Sequence, residues 1–437
     1  MTRILALLLL CAALAAQPSG QHEKLDPAFE KVPFEQWLGE RDATRFHWTA
    51  GVSHAELSFY QRLMAHVEIS LDGRDLENRR DHGSLVFLTQ ITNSSGARYR
   101  MHAVIELSKL DENIKAANLE VTQRAFLLPG EYRLAVAILD TGTREHSTKQ
   151  TQFRVAAPPQ HEFLPEAWRD LPPVEFIDNW ESPDAWYLPG IQGKLQWAAA
   201  VHSPARINVI VNVATTVPMP GSRRCQSGDL AALLPTLKAI SQTGSTALSE
   251  HVELLDLSRR RTVFHQDDVR ELDWPGIKAS LQEANTASID VHSLSERHHD
   301  AQFFVSQVRR VIRASQQPCV LVVLTKAVDF ESGEDLEPVS REEMPACRVV
   351  YIRYHVPRER APFGRPMQMG RVRRIGGPMM RTRPPQEVID QLEATLKPLA
   401  PKVFDVENPE EIARALAEIE KEIQAGPTAA SSPGQAR

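Results

Sequence analysis

The chain has 437 residues, 42% of them hydrophobic, and a formal net charge of −6. This length and apolar content are enough for two or three domains with buried cores. The mild negative charge argues against a general nucleic-acid-binding protein, which needs a basic surface. The four cysteines include no Cys-x-x-Cys pair, so they match neither a disulfide-dense scaffold nor a structural zinc site.

The first 16 residues have the pattern of an export signal. Arg3 precedes an apolar run from Ile4 to Ala16, in which Ala13 and Ala15 fit the small-residue positions before a cleavage site. The run is too short to cross a bilayer, which takes roughly 20 residues, and no later stretch is long and apolar enough. We therefore expect a secreted or periplasmic protein that does not span the membrane.

After an N-terminal segment (17–54), residues 55–156 have the pattern of an all-β domain. Short runs rich in aromatic and β-branched residues are separated by turn sequences such as Asp72-Gly73 and Pro129-Gly130. The predicted strands are Leu57–Tyr60, Ala65–Leu71, Ser84–Thr92, Arg98–Leu107, Leu119–Phe126, Tyr132–Leu139 and Thr151–Val155. About seven strands in about 100 residues favour a β-sandwich.

A linker rich in Pro and Trp (157–192) precedes a region, 193–425, in which strands and helices alternate. The predicted strands are Ile207–Val213, Val252–Leu257, Thr262–His265, Val320–Leu324, Val349–Tyr354 and Val403–Val406. Several are apolar throughout, which is typical of strands covered on both faces. This order predicts an α/β, doubly wound and largely parallel sheet. The tail, 426–437, is expected to be disordered.

Helix signals lie between these strands. Phe304 and Val308 share one face of a helix for which Asp300 is a candidate N-cap. The last helix has the clearest start, with Asn408 as N-cap and Glu411 completing a capping box.

Two parts of the chain resemble known families. Leu128-Pro-Gly-Glu-Tyr-Arg-Leu134 is similar to the penultimate strand of extracellular immunoglobulin-like modules. The runs Arg206-Ile-Asn-Val-Ile-Val-Asn-Val-Ala-Thr-Thr216 and Cys319-Val-Leu-Val-Val-Leu-Thr-Lys326, with the element order around them, resemble von Willebrand factor A-type domains, particularly divergent exported ones of soil bacteria. The resemblance implies an immunoglobulin-like sandwich followed by a von Willebrand A-like α/β domain.

The family's metal-ion-dependent adhesion site is degraded in this chain. Its D-x-S-x-S motif corresponds to Asn212, Ala214 and Thr216, and its second Asp corresponds to Lys326. Hard cations need oxygen ligands that include a carboxylate, and a lysine would place a positive charge beside the metal. We therefore expect no metal and no cofactor.

A long arginine-rich loop, 356–385, follows the strand that ends at Tyr354. Loops longer than about 12–15 residues are uncommon in compact domains and are often functional or disordered. Arginine suits carboxylate and phosphate recognition, and the loop leaves the sheet at its carboxyl edge, where such folds bind ligands. A solvated insertion without a binding role is the alternative. The candidate binding residues are Asn212, Thr215, Thr216, Lys326, Arg358, Arg360, Arg365, Arg371, Arg373, Arg374, Arg381 and Arg383.

A disulfide is predicted between Cys319 and Cys347. Each cysteine begins an apolar strand, and adjacent parallel strands lie about 4.8 Å apart, within reach of a disulfide when the two residues are in register. Two buried free thiols are the alternative, because a slip by one residue turns a side chain to the other face.

These features favour a non-enzymatic, metal-independent interaction module that works outside the cytoplasm. Its partner would be a protein or an anionic envelope polymer, and not nucleic acid. The alternatives are a hydrolase with an unrecognised site on the same face or a structural envelope component. For a hydrolase, the face offers a poor acid–base set: Asn212, Thr215, Thr216 and Lys326.

Overall fold

The computed structural model describes residues 26–40, 46–77, 79–80, 83–110, 113–158, 163–177, 191–196, 206–214, 225–241, 249–286, 299–315, 319–326, 339–340, 347–355 and 390–424. The chain divides into two compact units. The first comprises Met1–Glu56, Leu63–Ala157 and Pro172–Trp180, and the second Leu57–Arg62, Pro158–Leu171 and Glu181–Arg437.

The first unit contains two antiparallel sheets. Its strands are β1 (Trp48–Val52), β2 (Glu56–Leu57), β3 (Leu63–Asp72), β4 (Ser84–Asn93), β5 (Arg98–Glu106), β6 (Asn118–Leu127), β7 (Gly130–Asp140), β8 (His146–Val155) and β9 (Val174–Ile177). One sheet has the order β1-β3-β6-β9, with β2 beside β3, and the other has the order β5-β4-β7-β8. Within the described ranges it also has three short α-helices, α1 (Pro27–Glu30), α2 (Phe34–Trp37) and α3 (Gly73–Glu77).

The core of this unit follows from the alternation of its strands. In β3 every second residue from Leu63 is buried, so one face of the strand points inward. Trp48 in one sheet donates from Nε1 to Ser147 Oγ in the other at 2.8 Å, which joins the two sheets across a buried contact. At the start of β7, the Tyr132 hydroxyl donates to the carbonyl of Leu128 at 2.8 Å.

Six of the seven strands predicted here are confirmed, and the strand at Leu57–Tyr60 is wrong. Regular pairing there covers only β2, and Gln61 has a left-handed backbone with φ of 58°. The Ser58 hydroxyl donates to the carbonyl of Arg62 at 2.8 Å, so a turn replaces the expected strand. Two strands carried no sequence prediction, β1 and β9.

The second unit contains a six-stranded mixed sheet. Its strands are β10 (Arg206–Asn212), β11 (Ser249–Asp256), β12 (Arg261–Asp267), β13 (Cys319–Lys326), β14 (Cys347–Tyr354) and β15 (Lys402–Val406). Their order is β12-β11-β10-β13-β14-β15, and every pairing is parallel except that of β11 with β12. The predicted largely parallel sheet is therefore present, with one antiparallel edge strand.

Helices of the second unit are α4 (Phe163–Ala167), α5 (Cys225–Ser241), α6 (Trp274–Thr286), α7 (Asp300–Ala314), α8 (Gln391–Leu396) and α9 (Pro409–Gln424). Phe304 and Val308 of α7 and Leu392 of α8 pack in one buried cluster with Val323 and Tyr351 of the sheet. Among the described residues, no helix is long and apolar enough to cross a membrane.

The helix starts agree with the sequence in one case and not in the other. The capping box of α9 is confirmed, because Asn408 Oδ1 accepts from Glu411 N at 3.0 Å and Glu411 Oε2 accepts from Asn408 N at 3.3 Å. Asp300 is the first residue of α7 and His299 is its N-cap, so the predicted cap is wrong. The Asp300 carboxylate lies 3.5 Å from the guanidinium of Arg260.

The predicted disulfide is confirmed. Cys319 and Cys347 are direct partners in the pairing of β13 with β14 and form a bridge with their Cα atoms 4.5 Å apart. The bridge ties the amino-terminal ends of two central strands, at the end of the sheet opposite the carboxyl edge.

Candidate binding site at the carboxyl edge of the mixed sheet

The carboxyl ends of β10 and β13 flank the point at which the strand order reverses. The chain passes from β10 to β11 and β12 on one side of the sheet and returns to β13 on the other side. Open α/β sheets bind ligands in the crevice that such a reversal leaves outside the strand ends. The residues that end β10 and β13 therefore form the candidate binding site.

A row of polar side chains runs along this edge on one face of the sheet. Ile210, Val323 and Tyr351 belong to the buried cluster beneath α7 and α8. Two residues further along a strand, a side chain returns to the same face. The row that results is Asn212, Thr325, Arg353 and Asp405, with Thr325 paired to Arg353 and Arg353 paired to Asp405 in the sheet register.

Asn212 and Thr325 are bonded to each other. Asn212 Nδ2 donates to Thr325 Oγ1 at 2.9 Å, and Asn212 Oδ1 accepts from the backbone N of Ala214 at 3.0 Å. The side chains are buried, with Asn212 4% exposed and Thr325 0% exposed. The amide thus uses its oxygen and its nitrogen to hold the loop that follows β10 and the neighbouring strand end.

Arg353 is the centre of an ion-pair cluster at the same edge. Its guanidinium contacts Asp390 at 2.9 Å, Glu393 at 3.0 Å and Asp405 at 2.5 Å. The hydrogen bond from Arg353 lowers the pKa of Asp405 to about 2, against the opposing effect of partial burial. Burial, with the nearby Asp390 carboxylate, raises the pKa of Tyr351, whose hydroxyl donates to Asp390 Oδ2 at 2.7 Å.

His355 adds an imidazole to the cluster. Its Nε2 lies 2.7 Å from Asp405 Oδ1, and both side chains are partly exposed. Asp390 also caps α8 by accepting from the backbone N of Leu392 at 3.0 Å. The cluster therefore combines a buried carboxylate that organises a helix start with an accessible imidazole–carboxylate pair.

The structure brings together only part of the predicted site. Asn212 and Lys326 end adjacent strands, and Lys326 is partly exposed one position beyond Thr325. The other predicted binding residues lie outside the described residues: Thr215, Thr216, Arg358, Arg360, Arg365, Arg371, Arg373, Arg374, Arg381 and Arg383.

Sequence reasoning missed Thr325 and the Arg353 cluster. Thr325 is the single hydroxyl in the apolar run of β13, and Arg353 interrupts the equally apolar run of β14. A polar residue inside a strand buried on both faces signals a specific partner, because burying it without one is costly. The identity of that partner depends on the register between neighbouring strands, which the sequence of one strand does not give.

A second polar row crosses the same face nearer the amino-terminal ends of β10 and β11. His251 Nδ1 lies 2.7 Å from Asp267 Oδ1, and its Nε2 lies 3.9 Å from Glu253 Oε2. Glu253 is fully buried and also accepts from Thr262 and from Arg310 of α7. Burial alone would lower the pKa of His251, but the nearby Glu253 carboxylate and the hydrogen bond with Asp267 raise it overall.

The described part of the chain contains no group of three or more His, Cys, Asp or Glu side chains arranged to hold a metal ion. No protein-family model matches this chain, and a search of curated proteins gives no match. Function therefore has to be argued from the site itself.

Proposed function

We propose that the chain is a metal-independent interaction module that works outside the cytoplasm and binds an anionic partner at the carboxyl edge of the mixed sheet. The observation that carries this proposal is the bond between Asn212 and Thr325. At the edge where the strand order reverses, these two neutral side chains bind each other, in place of the charged ligands that a metal site would need. Lys326 at the same edge, and the arginines that the sequence places after β14, supply positive charge for an anionic protein or envelope polymer.

The topology of the second unit supports a von Willebrand A-like assignment. Counted within the unit, the strand order is 3-2-1-4-5-6, the order of one common class of doubly wound sheets. Asn212 is the last residue of the central strand β10, at the position where the family's D-x-S-x-S motif begins. The amide oxygen of Asn212 already accepts from Ala214 N, and an amide brings no negative charge to a cation.

Two features support an immunoglobulin-like assignment for the first unit. Its strands divide between two antiparallel sheets in the orders β1-β3-β6-β9 and β5-β4-β7-β8, and the chain crosses from one sheet to the other after β3, β5, β6 and β8. The Tyr132 hydroxyl near the start of β7 bonds back to Leu128, as the tyrosine corner of such modules does. Such a module would space or present the α/β unit.

The imidazole–carboxylate pair of His355 and Asp405 at this edge favours the alternative, a hydrolase. In hydrolases of the Ser-His-Asp type, a carboxylate orients the imidazole that acts as general base. Here Asp405 also pairs with Arg353, so its carboxylate is not reserved for His355. The interaction module therefore remains the stronger proposal. Loss of a measurable esterase or peptidase turnover in a His355→Asn variant would support the hydrolase instead.

The test uses fluorescein-labelled poly-glutamate as the anionic probe and the full chain at low salt. Changing Arg371, Arg373 and Arg374 together to Ser should weaken binding at least tenfold, with a flatter salt dependence because screened contacts are lost. Replacing Mg²⁺ with EDTA should leave binding unchanged.

The matched control removes the same charge elsewhere. Arg133, Arg144 and Arg154 are exposed residues of the first unit, and changing all three to Ser should alter binding by less than about twofold if the site is local. An equal loss in both triple variants would reduce the effect to net charge, and dependence on Mg²⁺ would overturn the metal-independent proposal.

A further inference from the structure

Residues 26–40, called here the N-terminal strap, cover one face of the β5-β4-β7-β8 sheet. Phe29, Phe34 and Trp37 of the strap pack on Leu88, Ala135 and Ala137. Successive residues of a strand point to opposite faces, so Ala135 and Ala137 lie on the face away from Val136 and Ile138. This sheet thus has apolar contacts on both faces, and the strap supplies those on one of them.

The strap has little regular structure of its own. It contains α1 and α2, each only four residues long. A helix of one turn is not stable by itself in water, because nucleation costs more than one turn regains. Contacts with the sheet therefore hold the strap in place, as they would hold a bound peptide.

The acidic and basic side chains of this contact are divided between the strap and the sheet. Asp26 lies 2.8 Å from His102, Glu35 lies 2.9 Å from Arg98, and Glu40 lies 3.1 Å from His146. Every carboxylate of these pairs is on the strap and every basic group is on β5 or β8. Charge complementarity of this kind gives specificity and orientation more than affinity.

Aromatic contacts fix the strap at two points. The Trp37 ring stacks on His146 with the ring centroids 4.2 Å apart. The guanidinium of Arg100 lies 5.0 Å from the centre of the Phe29 ring and 3.1 Å from Glu35 Oε1. Each of these basic side chains therefore contacts an aromatic ring and a carboxylate of the strap.

Side chains of β8 also bind the strap through its backbone. Gln150 Nε2 donates to the carbonyl of Leu38 at 3.1 Å, and Thr148 Oγ1 donates to the carbonyl of Trp37 at 3.4 Å. Backbone contacts hold a peptide whatever its sequence, while the aromatic and acidic contacts select it. The combination is that of a peptide-recognition surface.

We propose that this face of the sheet is a recognition surface for an acidic peptide segment with spaced aromatic residues, and that the strap occupies it as an intramolecular ligand. The partner is a segment of another protein with the same chemistry, which takes the place of the strap. This surface lies in the first unit, so it is a site separate from the carboxyl edge of the mixed sheet.

The strap is part of the same chain as the surface, so a partner can bind only when the strap has left it. A short covalent connection between two binding groups gives an effective concentration in the millimolar range. A strap with an intrinsic Kd of about 10 µM would then occupy the surface about 99% of the time. Cutting the connection removes this advantage and turns the strap into an ordinary competitor.

The experiment inserts a protease site between Glu40 and Phe46 of the full chain and uses a fluorescent peptide of residues 26–40 as the probe. After the cut and removal of the released fragment, the peptide should bind at micromolar Kd. The apparent affinity should be about 100-fold higher than for the uncut chain. In the peptide, Trp37→Ala and Glu35→Gln should each weaken binding about tenfold, because each removes paired contacts.

Glu30→Gln provides the matched control, since Glu30 is an exposed carboxylate of the same peptide and carries the same charge as Glu35. Equal weakening by Glu30→Gln and Glu35→Gln would reduce recognition to bulk charge and overturn the proposal. Failure of the peptide to bind the cut chain would also overturn it. So would loss of cooperative unfolding once the fragment is removed, because the strap would then be part of the core.

Discussion

Asn212 joins two buried strand ends with one side chain, through its bonds to Thr325 and to the backbone of Ala214. Removing it leaves buried polar groups without partners, at a cost of about 1–3 kcal/mol. We expect Asn212→Ala to lower the free energy of unfolding by about 2 kcal/mol in a urea titration. Thr325→Val tests the same bond from the other side. If the effects of the two changes simply add in the double variant, the bond does not stabilise the fold.

His251 makes stability depend on pH because its pKa is raised in the folded state by Glu253 and Asp267, against the effect of burial. A group with a raised folded pKa contributes stability below its unfolded pKa, about 6.5, and loses it as pH rises through the folded value. The free energy of unfolding should therefore fall as the pH rises above about 6.5, and a His251→Asn variant should lack this decline. Chemical unfolding measured across that range provides the check, and parallel profiles for the two proteins would contradict it.

At the scale of elements, the Cys319–Cys347 bridge closes a loop with a sequence separation of 28. By the chain-entropy argument, such a bridge stabilises by about 3–4 kcal/mol. Reduction should lower the midpoint of urea unfolding accordingly. The double variant Cys319→Ala/Cys347→Ala should unfold near the reduced protein's midpoint and be insensitive to reductant. An unchanged midpoint on reduction would mean that β13 and β14 hold their register without the bridge.

Elements with local signals were predictable, whereas contacts between elements, apart from the Cys319–Cys347 bridge, were not. The capping box of α9 and the apolar runs of β10, β13 and β14 are set by neighbours in sequence, so the pattern sufficed. The strand predicted at Leu57–Tyr60 is replaced by a turn that contains the left-handed residue Gln61, and composition alone did not indicate this backbone conformation.

The polar row at the carboxyl edge shows why the candidate site was only partly foreseen. Asn212 was identified because it stands at a motif position, whereas Arg353 and Asp405 meet only once β14 and β15 are paired. The same holds for His251 and Asp267, which the antiparallel pairing of β11 with β12 brings together. Register is a property of the whole sheet, and no single strand encodes it.

At the scale of the whole molecule, the expected export signal is open to direct measurement. Residues 1–25 lie outside the described part of the chain, and Arg3 with the apolar run that follows carries the export pattern in the sequence. Intact-mass analysis of protein from the extracytoplasmic fraction should give an N-terminus near Ala16 or Gln17. Intact Met1 recovered from the cytoplasm would contradict export.

The ion pair between Arg353 and Asp390 also affects how much the chain between them can change. Arg353 lies one residue before the end of β14 and Asp390 is the N-cap of α8, and their side chains form an ion pair at 2.9 Å. The ion pair therefore joins the end of β14 directly to the start of α8. The closure entropy between two joined residues grows slowly with the number of residues between them, by about 0.6 kcal/mol for each doubling. Insertions or exchanges between His355 and Asp390 should therefore cost the sheet little stability, which makes this stretch of the chain a suitable place to graft other sequences.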